Sequence, residues 1–536
     1  MITVMSQLLL DRLKYRNVEE KYGNVKSHID TDFMMTGAML ETYIDRLRQG
    51  CAAGIDGISA EHLRWSKGSQ IIPVLCDMLT LCIRFGLVPD SFTRGLLIPL
   101  LKKPNIDPSV AKHYRPVVIS TTFSKVLEIH LLAMCGEHEF HDLQFGFVSS
   151  RGTAMAAAMT NDVIDYCVSN GSPVYVCALD AEGAFDGIPH SIMFHKAVNV
   201  VPMLYWRLLI YWYSRLVVYI RWGGSISEPI DIRKGTRQGG LSSPFIFNLL
   251  YQDLVQRLSD MKCGVSIGGL TYNLCCYADD LLLCSLTVSG LQYLIDAADE
   301  YITQHGLRFN PQKTSCVTFG KSNFSKRQWY LQHEQLTEVS EVRHLGVILA
   351  NDNKSHAETR IQAARRAFYS LQGAGLCVRG CSPHTIAHIY SAAVRPVLMY
   401  GMECVYQGNF VMDKVERTQS RFLKTALGLY SKCRTSPLLQ ALNIDKVKTS
   451  IEIQKLSLFK SMFMSSSRTN DLYKFLLSCS LRRGLYSKKN LVSSVIAICD
   501  KYDFSLARIL TDKFYFSSCR KTMKSRSQCG LSDSIV

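Results

Sequence analysis

The chain has 536 residues, of which 47% are hydrophobic and 20% charged, a composition that supports a sizeable core and excludes an intrinsically disordered protein. Its formal net charge of +16 is unevenly placed: residues 351–536 hold 29 Lys+Arg against 12 Asp+Glu, while residues 1–350 hold 32 against 33. A near-neutral body with a basic last third suggests a grip on a polyanion, the competing reading being a merely soluble basic surface. Residues 1–13 lack the basic start and small-residue cleavage site of a signal peptide. The most apolar run, 201–222, is interrupted by Arg207, Arg215 and Arg221, so it reads as a buried helix running into a strand and not as a membrane span. The 19 scattered cysteines form no disulfide framework and point to reduced thiols in an intracellular protein of the nucleus or cytoplasm.

In chain order, residues 1–50 read as helical, with an amphipathic stretch over 36–48. A glycine-punctuated turn at 53–58 precedes a helix with Glu61, His62, Leu63 and Trp65, and a further helix covers 71–85 ahead of Pro89. Residues 96–101 are strand-like and lead to Lys102 and Lys103. Tyr114-Arg115-Pro116 opens another apolar run, and a helix follows from Thr122 to about Cys135. A helix starts within 146–154, and an apolar strand over 174–179 delivers Asp180, with Phe185 and Asp186 close behind. Residues 218–223 and 228–232 suggest a hairpin around Gly224. It leads to a glycine- and serine-rich loop over 235–244 that carries Gln238 and Gly239, then to an apolar helix over 245–258. Tyr277-Ala278-Asp279-Asp280 sits between apolar runs at 269–276 and 281–286. Beyond it come a helix over 289–305, a turn with Lys313, a strand over 342–349, and helices over 357–372, 382–394, 413–427 and 451–464. Strands alternating with helices, then a run of helices, indicate an α+β core with a helical appendage.

Neighbouring strand residues point to opposite faces, so Asp279 and Asp280 serve one site only at a hairpin turn. Alone, the pair also fits an ordinary polar turn. Asp180 changes that balance by supplying a carboxylate from a second strand. Two-metal nucleotidyl transfer needs carboxylates from separate strands converging on Mg²⁺ ions roughly 3.5–4 Å apart, which Asp180 and Asp279 provide if their strands are neighbours.

Taken in order, these segments resemble the reverse transcriptases of non-LTR (LINE-type) retrotransposons, from about Gly54 to Leu429. Ala178–Asp186 is similar to the family's LDxxxAFD box, Arg237–Pro244 to RQGxxxSP, Tyr277–Asp280 to YADD, and Gly306–Lys313 to GLxxNPxKT. His344-Leu345-Gly346 is similar to its YLG strand, Tyr114-Arg115-Pro116 to YRPI, Gln144–Phe147 to QxGF, and the block Arg395–Glu403, with Glu416–Gly428 beyond it, to its thumb. The resemblance implies an RNA-directed DNA polymerase with a right-hand fold. Its expected parts are an N-terminal helical extension (1–50), fingers (51–175), a palm with an antiparallel sheet (176–350), a helical thumb (351–445) and a basic helical C-terminal region (446–536).

It also implies roles. Asp180 and Asp279 hold two Mg²⁺ ions (Mn²⁺ as substitute), with Asp280 as a secondary member, and Lys313 acts as general acid toward pyrophosphate or is a surface lysine after a turn. Lys102, Lys103 and Arg115 reach the incoming dNTP, the lysines having a solvated loop as their other reading. Phe185 gates against the sugar 2′-hydroxyl or is ordinary core, and Gln238 and Gly239 let backbone approach the nascent base pair. Arg151, Arg365, Arg366, Arg417, Arg421 and Lys424 contact the RNA template and the DNA primer or target, against a solvated charged face as alternative. No membrane partner is expected, and the oligomeric state is open.

Three departures concern fine positioning: Glu182-Gly183 in place of Ser-Lys, Gly240-Leu241 in place of Asp-Pro, and Val148 where an arginine usually stands, with Arg151 as its substitute. Cys377, Cys381, His384 and His388 have zinc-ligand spacing but coincide with a helix start. The chain starts too near the polymerase motifs to hold the endonuclease the family often carries upstream, so a fragment or a silent nucleic-acid-binding remnant stays a rival, as does an RNA-dependent RNA polymerase.

Overall fold

The computed structural model describes residues 33–528 except 104–105, 238, 322–326, 353, 378–379, 466 and 484–488, so the helix expected within residues 1–32 and the position of Gln238 lie outside the described residues. The chain forms two compact units, one of residues 1–141, 181–254 and 300–309, the other of 142–180, 255–299 and 310–536. It passes repeatedly from one to the other, so neither unit is a continuous stretch.

The first unit contains a sheet in which Arg94–Leu101 pairs antiparallel with Tyr114–Ser120 and parallel with Val217–Trp222. Helix Ile71–Phe85 stops at Gly86, whose left-handed backbone at φ 65° suits a residue without a Cβ. The expected 201–222 segment is helix Met203–Ser214 followed by strand Val217–Trp222, and among the described residues no helix is long and apolar enough to cross a membrane. The hairpin expected around Gly224 is present. Val217–Trp222 turns at Gly223-Gly224 directly into Ser225–Ile226, because Gly223 accepts a positive φ, and Ile230–Asp231 returns to pair with Val217–Val218.

The second unit is built on a five-stranded sheet ordered Thr337–Val339, Ser315–Phe319, Val174–Asp180, Asp280–Ser285, Leu274–Tyr277. It is antiparallel apart from the parallel edge pair of Ser315–Phe319 with Thr337–Val339. Its central strands are buried on both faces, which explains their continuous apolar runs where a one-sided sheet would alternate. The single strand expected over 342–349 is instead a hairpin, Glu341–His344 with Val347–Ala350, because Leu345 and Gly346 both take positive φ as a two-residue turn requires.

Helices follow. Ser355–Gly373 buries Ala357, Ile361, Ala364 and Phe368, a three-to-four-residue spacing, against Val411, Val415 and Phe422 of Asn409–Ala426. The Phe368 and Phe422 rings stack at 4.5 Å. The helix expected over 382–394 is interrupted: Pro383–Ile389 gives way to a π-helical turn at Tyr390–Val394 before Arg395–Met399. Helices Val447–Phe463, Ser467–Arg483 and Leu491–Tyr502 are pinned by Asp162 of helix Thr153–Ser169. Its carboxylate accepts from the Tyr473 hydroxyl at 2.8 Å and from the Leu491 backbone N–H at 3.0 Å. Burial pushes Asp162 up to about 7 and the nearby Lys455 down to about 8, so this polar knot is held in a nearly dry interior.

Candidate active site

The second unit brings the aspartates together through strand register. Asp280 lies directly opposite Asp180 across the antiparallel pair, which puts the two side chains on one face. Tyr277 pairs with Asp280, leaving Ala278 and Asp279 as a two-residue turn. Ala278 adopts φ 55°, a conformation that costs an alanine about 1 kcal/mol, so the turn is imposed by its surroundings. Those surroundings are residues 143–146. The Phe145 N–H donates to the Cys276 carbonyl at 2.8 Å and the Cys276 N–H to the Leu143 carbonyl at 2.9 Å. A Cβ on Gly146 would lie 2.3 Å from the Ala278 nitrogen, so only glycine lets the two segments close.

Asp280 keeps more than a third of its surface open, yet partial desolvation first, and then the charges of Asp279 and Asp180, raise it to about 6. Asp180 has a cationic neighbour in the Lys313 ammonium, at 3.3 Å from its Oδ2. Lys313 is delivered by a turn in which the Asn310 side chain accepts the N–H groups of Gln312 and Lys313, while the Asn310 N–H donates to the Asp180 carbonyl at 2.8 Å. This carboxylate set fits a hard divalent cation: its donors are oxygens, and their mutual repulsion is the field a cation relieves. Among the described residues no group of three or more His, Cys, Asp or Glu is closed into a metal cage. The same absence applies to Cys377, Cys381, His384 and His388, which do not gather as a zinc site among the described residues.

The charge crowding has a testable consequence. A carboxyl whose folded value is raised favours the protonated fold and loses stability as pH climbs from its ordinary value through about 6. Asp280→Asn, without added metal, is expected to raise Tm by about 2 °C at pH 7.5, about 1 kcal/mol after solvent screening, and by nothing at pH 3.5. Thermal melts at the two pH values check this; an equal shift at both contradicts it.

The remaining candidates lie in the first unit or on the helices. Phe185 is half-buried, with its ring stacked on Phe247 at 4.1 Å, and its carbonyl accepts from the Thr236 N–H at 2.8 Å. Gly239 has φ 112°, and a Cβ there would meet the Val118 carbonyl oxygen at 2.3 Å, so the loop carrying it presses against strand Tyr114–Ser120. Arg115 is exposed on that strand, opposite Leu100. Lys103 is exposed, whereas the Lys102 ammonium donates to the Lys112 carbonyl at 2.8 Å. Arg365, half-buried, and Arg366, exposed, lie on helix Ser355–Gly373, and Arg417 and Arg421 are exposed on Asn409–Ala426.

Two expectations are corrected. The Arg151 guanidinium is committed to the Gln144 carbonyl at 2.8 Å and to Asp142 at 3.4 Å, so it braces the loop beside the aspartate hairpin and does not project toward a strand of nucleic acid. Lys424 is buried, and its ammonium donates to the Ser431 carbonyl at 2.9 Å, which turns its charge onto the chain's own backbone.

One organising residue escaped sequence reading. Glu128, fully buried, accepts from Arg237 at 2.6 Å, from the Ser242 hydroxyl at 2.8 Å and from the Leu241 N–H at 3.1 Å, while the Arg237 guanidinium lies over the Trp212 ring at 4.4 Å. This one carboxylate therefore anchors both ends of the loop that bears Gln238 and Gly239. The only signal in the sequence was an acid inside an apolar helix, which demands a partner without naming it. Glu128→Ala strands the Arg237 charge and is expected to cost about 3–5 kcal/mol of stability, measured by urea denaturation. A loss below about 1 kcal/mol would show that the loop is held by other means.

Residues 101–349 match the family "Reverse transcriptase (RNA-dependent DNA polymerase)". The chain is 25% identical over 412 residues to the putative 115 kDa protein in type-1 retrotransposable element R1DM of Drosophila melanogaster, covering 74% of this chain and 38% of that protein. It is 26% identical over 302 residues to the retrovirus-related Pol polyprotein from type-1 retrotransposable element R2 of Nasonia vitripennis, covering 55% of this chain and 28% of that one. It is also 23% identical over 420 residues to the RNA-directed DNA polymerase from mobile element jockey of Drosophila funebris, covering 75% and 45%. The chain thus spans less than half the length of these relatives. Residues 101–349, which include the aspartate hairpin and Asp180, match the reverse transcriptase family, and the chain is similar to proteins of non-LTR retrotransposable elements.

Proposed function

We propose that this chain is an RNA-directed DNA polymerase, adding dNTPs to a primer 3′-hydroxyl on an RNA template. The observation that carries the reading is the register placing Asp280 opposite Asp180, with Asp279 in the turn beside them. Asp180 and Asp279 would hold two divalent ions, Mg²⁺ with Mn²⁺ as substitute, and Asp280 would tune their field. When bound, such ions activate the 3′-hydroxyl and neutralise the leaving pyrophosphate. Lys313, whose ammonium lies 3.3 Å from Asp180, would carry a proton toward pyrophosphate. Arg115 and Lys103, both exposed, would supply cations for the triphosphate, and Phe185, whose ring stacks on Phe247, would gate against the sugar 2′-hydroxyl.

In this reading the units correspond to a right-hand polymerase, with the five-stranded sheet as palm and the helices after residue 355 as thumb and extension. Arg365, Arg366, Arg417 and Arg421 would meet phosphates of template and primer. The test is extension of a DNA primer annealed to an RNA template with Mg²⁺ and dNTPs. Product is expected. RNA binding without product would favour a silent remnant, and equal use of NTPs would favour an RNA polymerase.

A further inference from the structure

The first unit holds a cavity that the chemistry above does not use. It encloses about 300 Å³, the lower end of the range for small-molecule pockets. Strand pairing fixes the side of the sheet on which it lies. Leu97 of Arg94–Leu101 stands opposite Val118 of Tyr114–Ser120, and Pro99 opposite Pro116, so these side chains share one face. Arg115, opposite Leu100, is on the other face. The cavity is lined by Leu97, Pro116 and Val118 from the first face, by Val218 of the neighbouring strand, and by Ile232. Gly95 lines it too, and a Cβ there would lie 2.5 Å from Val118 Cγ1, so a larger residue would displace Val118 from this wall. The remaining wall comes from Lys234, Thr236 and Arg237, just ahead of Gln238. The cavity therefore sits away from the face that offers Arg115 to a triphosphate.

Its polar groups define what it takes. Thr236 and Arg237 are 5% and 7% exposed. The Thr236 N–H is committed to the Phe185 carbonyl at 2.8 Å, and Arg237 Nη2 to Glu128 at 2.6 Å. The Thr236 hydroxyl and the Arg237 Nε–H are left without a hydrogen-bond partner among the described residues. Two buried donors without an acceptor are costly, and an acceptor brought in by a ligand removes that cost. The charges around the cavity balance. Arg237 is matched by the fully buried Glu128, while the exposed Lys234 and Asp186 contribute one charge of each sign. A net-neutral and largely apolar cavity gives an anion such as a triphosphate nothing to offset its lost hydration. It suits an uncharged molecule with a ring system for the aliphatic walls and one carbonyl for the two donors.

We propose that this cavity is a binding site for a compact, uncharged, ring-bearing molecule whose carbonyl accepts from Thr236 Oγ1 and Arg237 Nε. Such a ligand sits behind the loop that bears Gln238 and Gly239. Binding is read without template, primer or turnover, so it stands or falls separately from the polymerase reading. The test uses the full chain and 7-diethylamino-4-methylcoumarin, an uncharged bicyclic lactone whose emission rises in apolar surroundings. Saturable binding is expected, with a Kd on the order of 0.1 mM. Ile232→Trp fills the cavity from a half-exposed position and should weaken binding at least about tenfold. Thr236→Val removes an unpartnered donor at nearly constant volume. It should melt no lower than wild type and bind about three- to tenfold more weakly, which carries the test even where the tryptophan variant fails to fold. dATP with Mg²⁺ at about 1 mM, the top of the usual KM range, should leave the probe bound. No saturable binding by wild type overturns the proposal, as does undiminished binding by either folded variant. So does displacement by dATP, which would make the cavity part of a nucleotide site, or tighter binding of the same dye carrying a 3-carboxylate, which would make it an anion site.

Discussion

Asp180→Asn and Asp279→Asn are each expected to reduce primer extension by about 10³-fold or more while leaving the fold intact. The expectation follows from what the two carboxylates face. Asp180 ends a strand buried on both sides, and its register with Asp280 fixes where its side chain points. Asp279 sits in a turn that Gly146 allows to close and that Ala278 adopts at a conformational cost. A metal ion stabilises developing charge in phosphoryl transfer by several kcal/mol, and each ~1.36 kcal/mol is a factor of ten in rate. Asparagine keeps the shape and removes the charge that seats the ion. Both variants should therefore fold; without metal Asp279→Asn should melt no lower than wild type because it relieves like-charge repulsion, whereas in Asp180→Asn that relief is offset by loss of the Lys313 ion pair. Mg²⁺ should raise the Tm of wild type and fail to raise that of either variant. Extension within tenfold of wild type by either variant would remove that aspartate from the metal seat.

Phe185→Ala is expected to convert sugar discrimination from strong to weak, raising the use of NTPs relative to dNTPs by about 10²-fold or more. The ring is braced on one face by Phe247, which itself stacks on Tyr251 at 4.7 Å, so it cannot swing aside cheaply to admit another oxygen. Its backbone is tied to the following loop through Thr236, and His190 Nε2 lies 3.0 Å from the Gly235 carbonyl. In the proposed reading, alanine would open the space of a benzyl group where the sugar is held. Steady-state incorporation of each dNTP and its matching NTP opposite the same template base measures the ratio. If it stays unchanged, Phe185 is core packing and the gate lies elsewhere.

How much of this was legible beforehand depends on the range of the interaction. The aspartate turn, the strand leading to Asp180 and the helices after residue 355 follow from local pattern, because strand runs and helical spacing are set by neighbours a few residues away. The hairpin around Gly224 is legible from its glycines, whereas the one at Leu345-Gly346 is not, since that turn is decided by two backbone angles inside an otherwise strand-like run. The π turn at Tyr390–Val394 left no local mark that helical periodicity would detect. Glu128 and Arg237, 109 residues apart, could not be paired without the fold. Arg151 and Lys424 looked like free cations because composition shows charge but not what a side chain has already bound. The basic last third was legible as a surplus. That much of it lines one groove with the Asn409–Ala426 helix was not, because the walls come from segments on both sides of residue 445.

The central claim is that the aspartate hairpin and Asp180 form a working polymerase centre. The most direct measurement is single-turnover extension of a DNA primer on an RNA template by the wild-type chain, run beside the doubly substituted Asp180→Asn, Asp279→Asn protein prepared identically. The account predicts Mg²⁺-dependent, template-directed addition of dNTPs by wild type and none by the double variant. Template binding without any extension by wild type, or equal extension by both proteins, would contradict it.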